Sequence, residues 1–180
     1  MKRVVTLTFV VMCVFAGAIL AQEVPKTPEP RPEEKRLAYF VGRWTREGEM
    51  KQSPFGPAGK FSTADHNYWL PGHFFLVLRS AGKGPIGPIN ELTVMGYSAE
   101  EKAYTYDTFE NTGEHEVSKG TVQGDTWTWT SQFEVQGKTI KARFMIQEVS
   151  PKMYTFKYDF STDGGSTWTN TAEGEALKMK

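Results

Sequence analysis

The chain has 180 residues, of which 39% are hydrophobic and 23% charged, a balance typical of one globular domain rather than a disordered or polytopic membrane protein. Basic and acidic residues both number 21, and this neutral balance argues against a nucleic-acid partner. A single cysteine excludes a disulfide framework and a thiolate metal cluster.

The N-terminus has the pattern of a targeting segment. A basic start at Met1-Lys2-Arg3 is followed by an uncharged, almost wholly apolar run over residues 4–20. This predicts a secretory signal peptide over residues 1–21, cleaved after Ala21. The run is also at the lower length limit of a membrane-spanning helix, so an uncleaved anchor is the alternative. After cleavage, which also removes Cys13, we expect a periplasmic or secreted protein with no membrane partner.

A proline-rich linker and one short helix are predicted next. Four prolines occur within residues 22–34, a density that favours an extended, solvated spacer. Residues 33–41 begin with acids, end with apolar residues and precede Gly42, which predicts one or two helical turns that cap the following domain. The domain itself is predicted to cover residues 35–180.

Beyond the helix, short apolar runs alternate with turn residues, which predicts an all-β, antiparallel domain. Residues 81–89 are rich in glycine and proline and are predicted to form the one long flexible loop. About ten strands in a meander must hide two sheet edges, and closure into an up-and-down barrel does so. The predicted strands are 43–51, 60–70, 73–81, 90–98, 103–110, 114–123, 126–135, 138–148, 152–160 and 167–178.

The alternation within the later strands predicts which side chains face the barrel interior. Three consecutive strands have one polar face and one apolar, aromatic face. A barrel of this size has room inside for packed side chains or one small ligand. The candidate interior residues are Trp127, Trp129, Phe144, Tyr154, Phe156 and Tyr158, with Tyr68 added from a strand whose inward face the pattern does not define.

Several short motifs, taken in order, resemble one known family. Residues 37–45 (LAYFVGRWT) look like the opening of lipocalin-like barrels, a short helix followed by Gly-x-Trp. The segments YWLPGHFF at 68–75, MGY at 95–97 and KAY at 102–104 continue the pattern. Together they resemble the DUF1579 group of bacterial proteins over about residues 33–178, although Ser98 stands where that group often has Asp. The resemblance implies a lipocalin-like barrel and no settled activity.

The nitrobindins, which bind haem, share this barrel type. No axial ligand at a matching position is evident in this chain, so the resemblance does not extend to haem, and no cofactor is expected.

Residues capable of catalysis or metal binding are few. The three histidines, His66, His73 and His115, do not have the spacing of a metal site, and no nucleophile motif occurs. The acidic pairs 100–101 and 114/116 are interpreted as solubilising turn residues. We therefore predict no catalytic residues and no metal site.

Residues 161–168 (STDGGSTW) fit the Ser-x-Asp-x-Gly-x-Thr-Trp pattern of an Asp-box. The aspartate can accept turn amides, the glycine can adopt a positive φ, and the tryptophan can cover the hairpin. The motif occurs once, without the repeats of a propeller, so it is interpreted as a structural turn.

These observations favour an exported protein that binds a small apolar or amphipathic molecule inside a β-barrel, since aromatic walls with tyrosine hydroxyls suit such ligands. Two alternatives stay open: an enzyme acting on a small molecule in the barrel mouth, and a filled barrel with an envelope scaffolding or interaction role. A binder is favoured over an enzyme, and the pattern does not define the oligomeric state. A buried charged pair would favour catalysis, and a packed interior would favour scaffolding.

Overall fold

The computed structural model describes residues 28–180, so the predicted signal peptide and its cleavage after Ala21 lie outside the described residues. Ten antiparallel strands form a closed barrel in which each strand pairs with the next along the chain and the last pairs with the first. This confirms the predicted all-β, up-and-down barrel. The strands are β1 (Gly42–Met50), β2 (Gly59–Trp69), β3 (Leu76–Gly84), β4 (Gly87–Ser98), β5 (Ala103–Glu110), β6 (His115–Gln123), β7 (Thr126–Val135), β8 (Lys138–Ser150), β9 (Met153–Ser161) and β10 (Thr169–Lys178).

A short helix closes one end of the barrel, as predicted. Helix α1 covers Pro32–Arg36 and continues into a 3₁₀ turn at Leu37–Phe40. The helix begins inside residues 22–34, the range of the predicted linker. Pro32 is tolerated as the first residue of the helix because the N–H groups of the first helical turn have no partner within the helix. Between residues 28 and 180, no helix combines the length and the apolar character needed to cross a membrane.

Residues 81–89 differ from the prediction of a long flexible loop. Strand β3 runs to Gly84 and β4 starts at Gly87, which leaves a two-residue turn. The prediction is wrong because glycine inside a strand also serves where two backbones approach closely. Gly82 is such a position, since a Cβ there would collide with the backbone of β2.

Candidate functional site

Alternate residues of each strand face the barrel interior, and this interior has two differently packed halves. The capped half lies under α1 and the 3₁₀ turn. The open half lies at the opposite end, which we call the mouth. The strand connections around the mouth are residues 51–58, 85–86, 111–114, 136–137 and 162–168.

The capped half is a solid aromatic core. The ring of Phe40 lies 5.1 Å from that of Trp127, and the ring of Trp44 lies 5.1 Å from that of Tyr154. Trp127 stacks on Trp129 at 5.4 Å. The exposed fractions of Trp44, Trp127 and Trp129 are 0%, 0% and 1%. These side chains fill the space under α1 and leave none for a ligand.

The six residues predicted from the later strands all face inward, but the structure divides them between the two halves. Phe144 and Tyr158 lie toward the open half and are only partly buried. Their part in ligand binding stays a prediction. The other four are buried in the capped core: Trp127, Trp129, Tyr154 and Phe156.

Tyr68, the seventh candidate, lies on the outer face of β2. Its neighbours Asn67 and Trp69 pair with inward-facing residues of β3, and successive side chains point to opposite faces. The ring of Tyr68 lies 5.2 Å from that of His66, which is exposed. The prediction of an interior position for Tyr68 is therefore wrong. The aromatic pair Tyr68-Trp69 places one ring on each face, so alternation alone could not assign it.

A charged cluster that the sequence analysis missed lies in the middle of the interior. Nη2 of Arg46 lies 2.8 Å from Oε2 of Glu91, and its Nε lies 3.5 Å from Oδ2 of Asp65. Thr63 donates to Asp65 at 2.7 Å and accepts from Arg46 at 3.2 Å. Burial by itself would lower the pKa of the Arg46 guanidinium. The negative charges of Glu91 and Asp65 together have the larger effect and raise this pKa. The cluster is thus an internally paired network rather than a free cation.

Glu116 is a second polar centre, in the open half. Ser118 and Ser131 donate to its Oε1 at 2.9 and 2.6 Å, and Tyr158 donates to its Oε2 at 3.2 Å. The three donors belong to β6, β7 and β9, so the carboxylate is held from three strands. The interpretation of Glu116 as a solubilising turn residue is wrong, because β6 begins at His115 and directs the next side chain inward.

Two groups near this carboxylate have altered acidity. Burial, together with the charge of Glu116 and a hydrogen bond to it, raises the pKa of Tyr158, whose hydroxyl therefore stays a donor. Burial and the charges of Glu91 and Glu114 raise the pKa of Glu110 from 4.5 to about 6. The open half thus brings several carboxyl groups together. A hydrogen-bond donor placed among them would relieve their mutual repulsion.

Aromatic rings lie above this polar layer, at the mouth. Phe133 of β7 and Phe160 of β9 face inward. Phe55, in the connection formed by residues 51–58, contacts both: its ring centroid lies 5.9 Å from that of Phe133 and 5.0 Å from that of Phe160. Together with Phe144 and Tyr158 these rings give the open half an apolar wall next to a hydrogen-bonded carboxylate. Such a lining suits an amphipathic small molecule.

The histidines do not contribute to this arrangement. His66 is exposed on the outer face of β2, and His115 is exposed at the start of β6. His73 has a φ of 60° and stacks on Trp69 with ring centroids 5.6 Å apart. This turn conformation delays the start of β3 from the predicted residue 73 to Leu76. Within residues 28–180, no three His, Cys, Asp or Glu side chains are grouped as metal ligands.

Residues 161–168 form the turn that the Asp-box pattern predicts. Asp163 accepts hydrogen bonds from the Thr167 N–H at 2.9 Å and from the Thr167 hydroxyl at 2.6 Å. These bonds hold the pKa of Asp163 well below its usual range. Gly165 has a φ of 99°, and its carbonyl accepts the indole N–H of Trp168 at 3.0 Å. These contacts support the interpretation of the motif as a structural turn.

Two depressions occur on the outer surface, with volumes of about 640 and 600 Å³. The first lies over Gly48 and Gly174, and the second lies beside His66 and Arg79. Both are open to solvent and are lined mainly by outward-facing side chains. Neither includes Glu116 or the aromatic rings of the mouth, so we do not assign them to the candidate site.

The missed polar residues have a weak sequence signal. Arg46 follows Trp44 by two residues, so alternation from a secure interior tryptophan would have placed it inside. A charged residue at such a position would nevertheless be assigned to the surface, because charged side chains are seldom buried unless they are paired. Its partners Asp65 and Glu91 lie on other strands, so the pairing is visible only in the folded barrel.

The family and fold comparisons agree with this architecture. A family model described as "Protein of unknown function (DUF1579)" matches residues 29–177. Among solved structures, Rv2717c from M. tuberculosis is similar with a TM-score of 0.58 and 13% identity, covering 84% of this chain and 100% of that chain. The S-type phycobiliprotein lyase CPES from Guillardia theta is similar with a TM-score of 0.57 and 13% identity, covering 82% of this chain and 93% of that chain. No curated protein matches significantly. Identities this low show a shared fold alone.

Proposed function

The chain belongs to the DUF1579 family, and on this premise we propose that it is an exported barrel protein that binds a small amphipathic molecule in its open half. One observation carries the proposal. The Glu116 carboxylate is held by hydroxyls of Ser118, Ser131 and Tyr158 beneath an aromatic mouth. The capped half is already filled, so the open half is the place for a ligand.

The chemistry of Glu116 suggests the polar end of that ligand. Its described partners are hydroxyl groups, and no ion pair within residues 28–180 neutralises it. A partly buried carboxylate without a cation is costly, and a ligand that donates a hydrogen bond would offset that cost. The apolar end of the ligand would pack against Phe144 and the rings at the mouth.

The fold gives general support. A neighbour with this barrel type is named a phycobiliprotein lyase. Small barrels of this kind can enclose one ligand when one end is open. We take from this likeness only that a barrel of this shape is compatible with a binding role.

The test is native mass spectrometry of the protein purified from its own host. We expect a retained small molecule at one per chain, and its loss or marked reduction in Glu116→Gln. The matched control is Glu134→Gln, because Glu134 is exposed on the outer face of β7. A wild-type protein that never carries a ligand would contradict the proposal and favour the filled barrel with a scaffolding role.

Export is a separate part of the proposal, and the apolar N-terminal sequence supports it. Intact mass measurement of the protein from its host should show a mature chain that lacks residues 1–21. Recovery of the full-length mass from membranes would contradict cleavage and support the signal-anchor alternative.

A second candidate function is catalysis on a small molecule that reaches the charged cluster in the middle of the interior. The buried network of Arg46, Asp65 and Glu91 favours it, because buried charges often mark reactive sites. Those charges satisfy one another, so we rank binding first. Incubation of the retained ligand with fresh protein distinguishes the two functions: a product of altered mass indicates an enzyme, and an unchanged ligand indicates a binder.

A further inference from the structure

The connection between β1 and β2, residues 51–58, crosses the mouth of the barrel. Phe55 in this loop contacts Phe133 on β7 and Phe160 on β9. In the closed strand order, β7 lies four places from β1, close to the opposite wall of a ten-stranded barrel. The loop therefore spans the opening instead of turning back directly along its own strands.

The loop has internal structure of its own. Ser53 and Gly56 exchange two backbone hydrogen bonds, at 3.1 and 3.3 Å, and the Ser53 hydroxyl accepts the Phe55 N–H at 3.2 Å. Pro54 and Pro57 restrict the backbone beside this turn. These hydrogen bonds hold residues 53–56 in one defined turn.

The tip of the loop rests on the mouth through ring edges. The interplanar angles between Phe55 and its two partners are 70° and 87°, and Phe55 is 44% exposed. At its start the loop is tied by the Lys51 N–H, which donates to the Thr171 carbonyl at 2.7 Å. The loop is thus held by a backbone hydrogen bond where β1 ends, whereas Phe55 at its tip contacts the mouth only through a partly exposed ring.

The closed tip covers the candidate site. Ser131 and Tyr158, two donors to Glu116, precede Phe133 and Phe160 by two residues on the same inward faces. Alternate residues of a strand are about 7 Å apart, so the aromatic contact lies one layer above the carboxylate. The contact of Phe55 with β7 and β9 therefore lies between part of the mouth and Glu116.

We propose that residues 51–58 are a gate over the open half and that Phe55 is its closing side chain. The proposal rests on the binding function proposed above. Entry and exit of a ligand both require Phe55 to leave Phe133 and Phe160. In the closed position the ring narrows the opening above the polar layer.

The test is stopped-flow fluorescence with N-phenyl-1-naphthylamine, a neutral apolar probe. Phe55→Ala should raise the association and dissociation rate constants together, each by about tenfold, because two aromatic contacts no longer hold the gate. Phe55→Trp should lower both, and Phe55→Leu should give intermediate rates. The matched control is Ile86→Ala, since Ile86 is an exposed apolar residue at a neighbouring turn of the mouth, 65% exposed.

The outcomes separate the gate from the binding function. Binding with rates unchanged in all three Phe55 variants would overturn the gate and leave the binding function intact. A rise in the dissociation rate alone would also overturn it, because that result identifies Phe55 as a wall of the site. If wild-type protein and every variant bind no probe, the binding function fails and the gate fails with it.

Discussion

The hydroxyl of Tyr158 on β9 donates to Oε2 of Glu116 on β6 at 3.2 Å, although β7 and β8 separate the two strands. The hydrogen bond therefore runs through the barrel interior, and Ser131 of β7 joins it at the same carboxylate. Trp129 lies two residues before Ser131 on the same face and is buried in the capped core. This polar layer is thus where the filled half ends and the open half begins.

Tyr158→Phe tests the contribution of that hydrogen bond. We expect a loss of about 1 kcal/mol in the free energy of unfolding, because Glu116 loses one donor in a partly buried site. Urea denaturation measures this change. Tyr68→Phe removes the same atom on the outer face and should have little effect. Equal stability losses in the two variants would show that the bond across the interior contributes nothing.

The raised pKa of Glu110 predicts a pH dependence of stability. The folded protein holds this proton more tightly than the unfolded chain, since burial, together with the charges of Glu91 and Glu114, raises the pKa of Glu110 from 4.5 to about 6. Its stabilising contribution is therefore complete below pH 4.5 and is lost as the pH rises through about 6, by about 1 kcal/mol after allowance for solvent screening. Urea denaturation between pH 4 and 7 should show this fall. Glu110→Gln should remove it, and Glu134→Gln should not.

Trp129→Ala tests the division of the interior. Because the indole is 1% exposed and stacked on Trp127, we expect a destabilisation of about 3–5 kcal/mol, as for a truncated core residue. Thr128→Ala, on the outer face of the same strand, should change stability by less than about 0.5 kcal/mol. A loss below about 1 kcal/mol in Trp129→Ala would mean that the capped half is not a packed core.

Gly165→Val tests the turn formed by residues 161–168. The φ of 99° is unfavourable for a β-branched residue, so we expect a loss of about 1–3 kcal/mol. Thr162→Val, an exposed position in the same loop without a positive φ, is the control. An unchanged melting temperature in Gly165→Val would contradict the assignment.

Much of the fold could be predicted from the sequence because its strands alternate strictly. Between residues 103 and 160, turn residues separate runs with one apolar face, and the strand boundaries agree closely with the structure. The prediction of a loop at residues 81–89 was wrong because glycine and proline occur both in loops and where two strands approach closely. The assignment of Tyr68 to the interior was wrong because β2 has aromatic residues on both faces near its end.

The site could be predicted only in part. The aromatic members have a periodic signal, and all six from β7, β8 and β9 face inward. The polar members depend on partners from distant strands, as Arg46 does on Glu91 and as Glu116 does on Tyr158. Such pairs are set by the closure of the barrel, which alternation along one strand does not describe. For the same reason, no local pattern shows that the capped half is filled.

The most direct test of the central claim is titration of the protein with N-phenyl-1-naphthylamine, followed by probe emission and tryptophan quenching. Wild-type protein should bind the probe saturably at one site. Ser131→Phe, which adds bulk to the inward face of the open half, should abolish binding, and Thr130→Phe on the exposed outer face should retain it. Absence of saturable binding to the wild type, or equal binding to both variants, would contradict a ligand site in the open half.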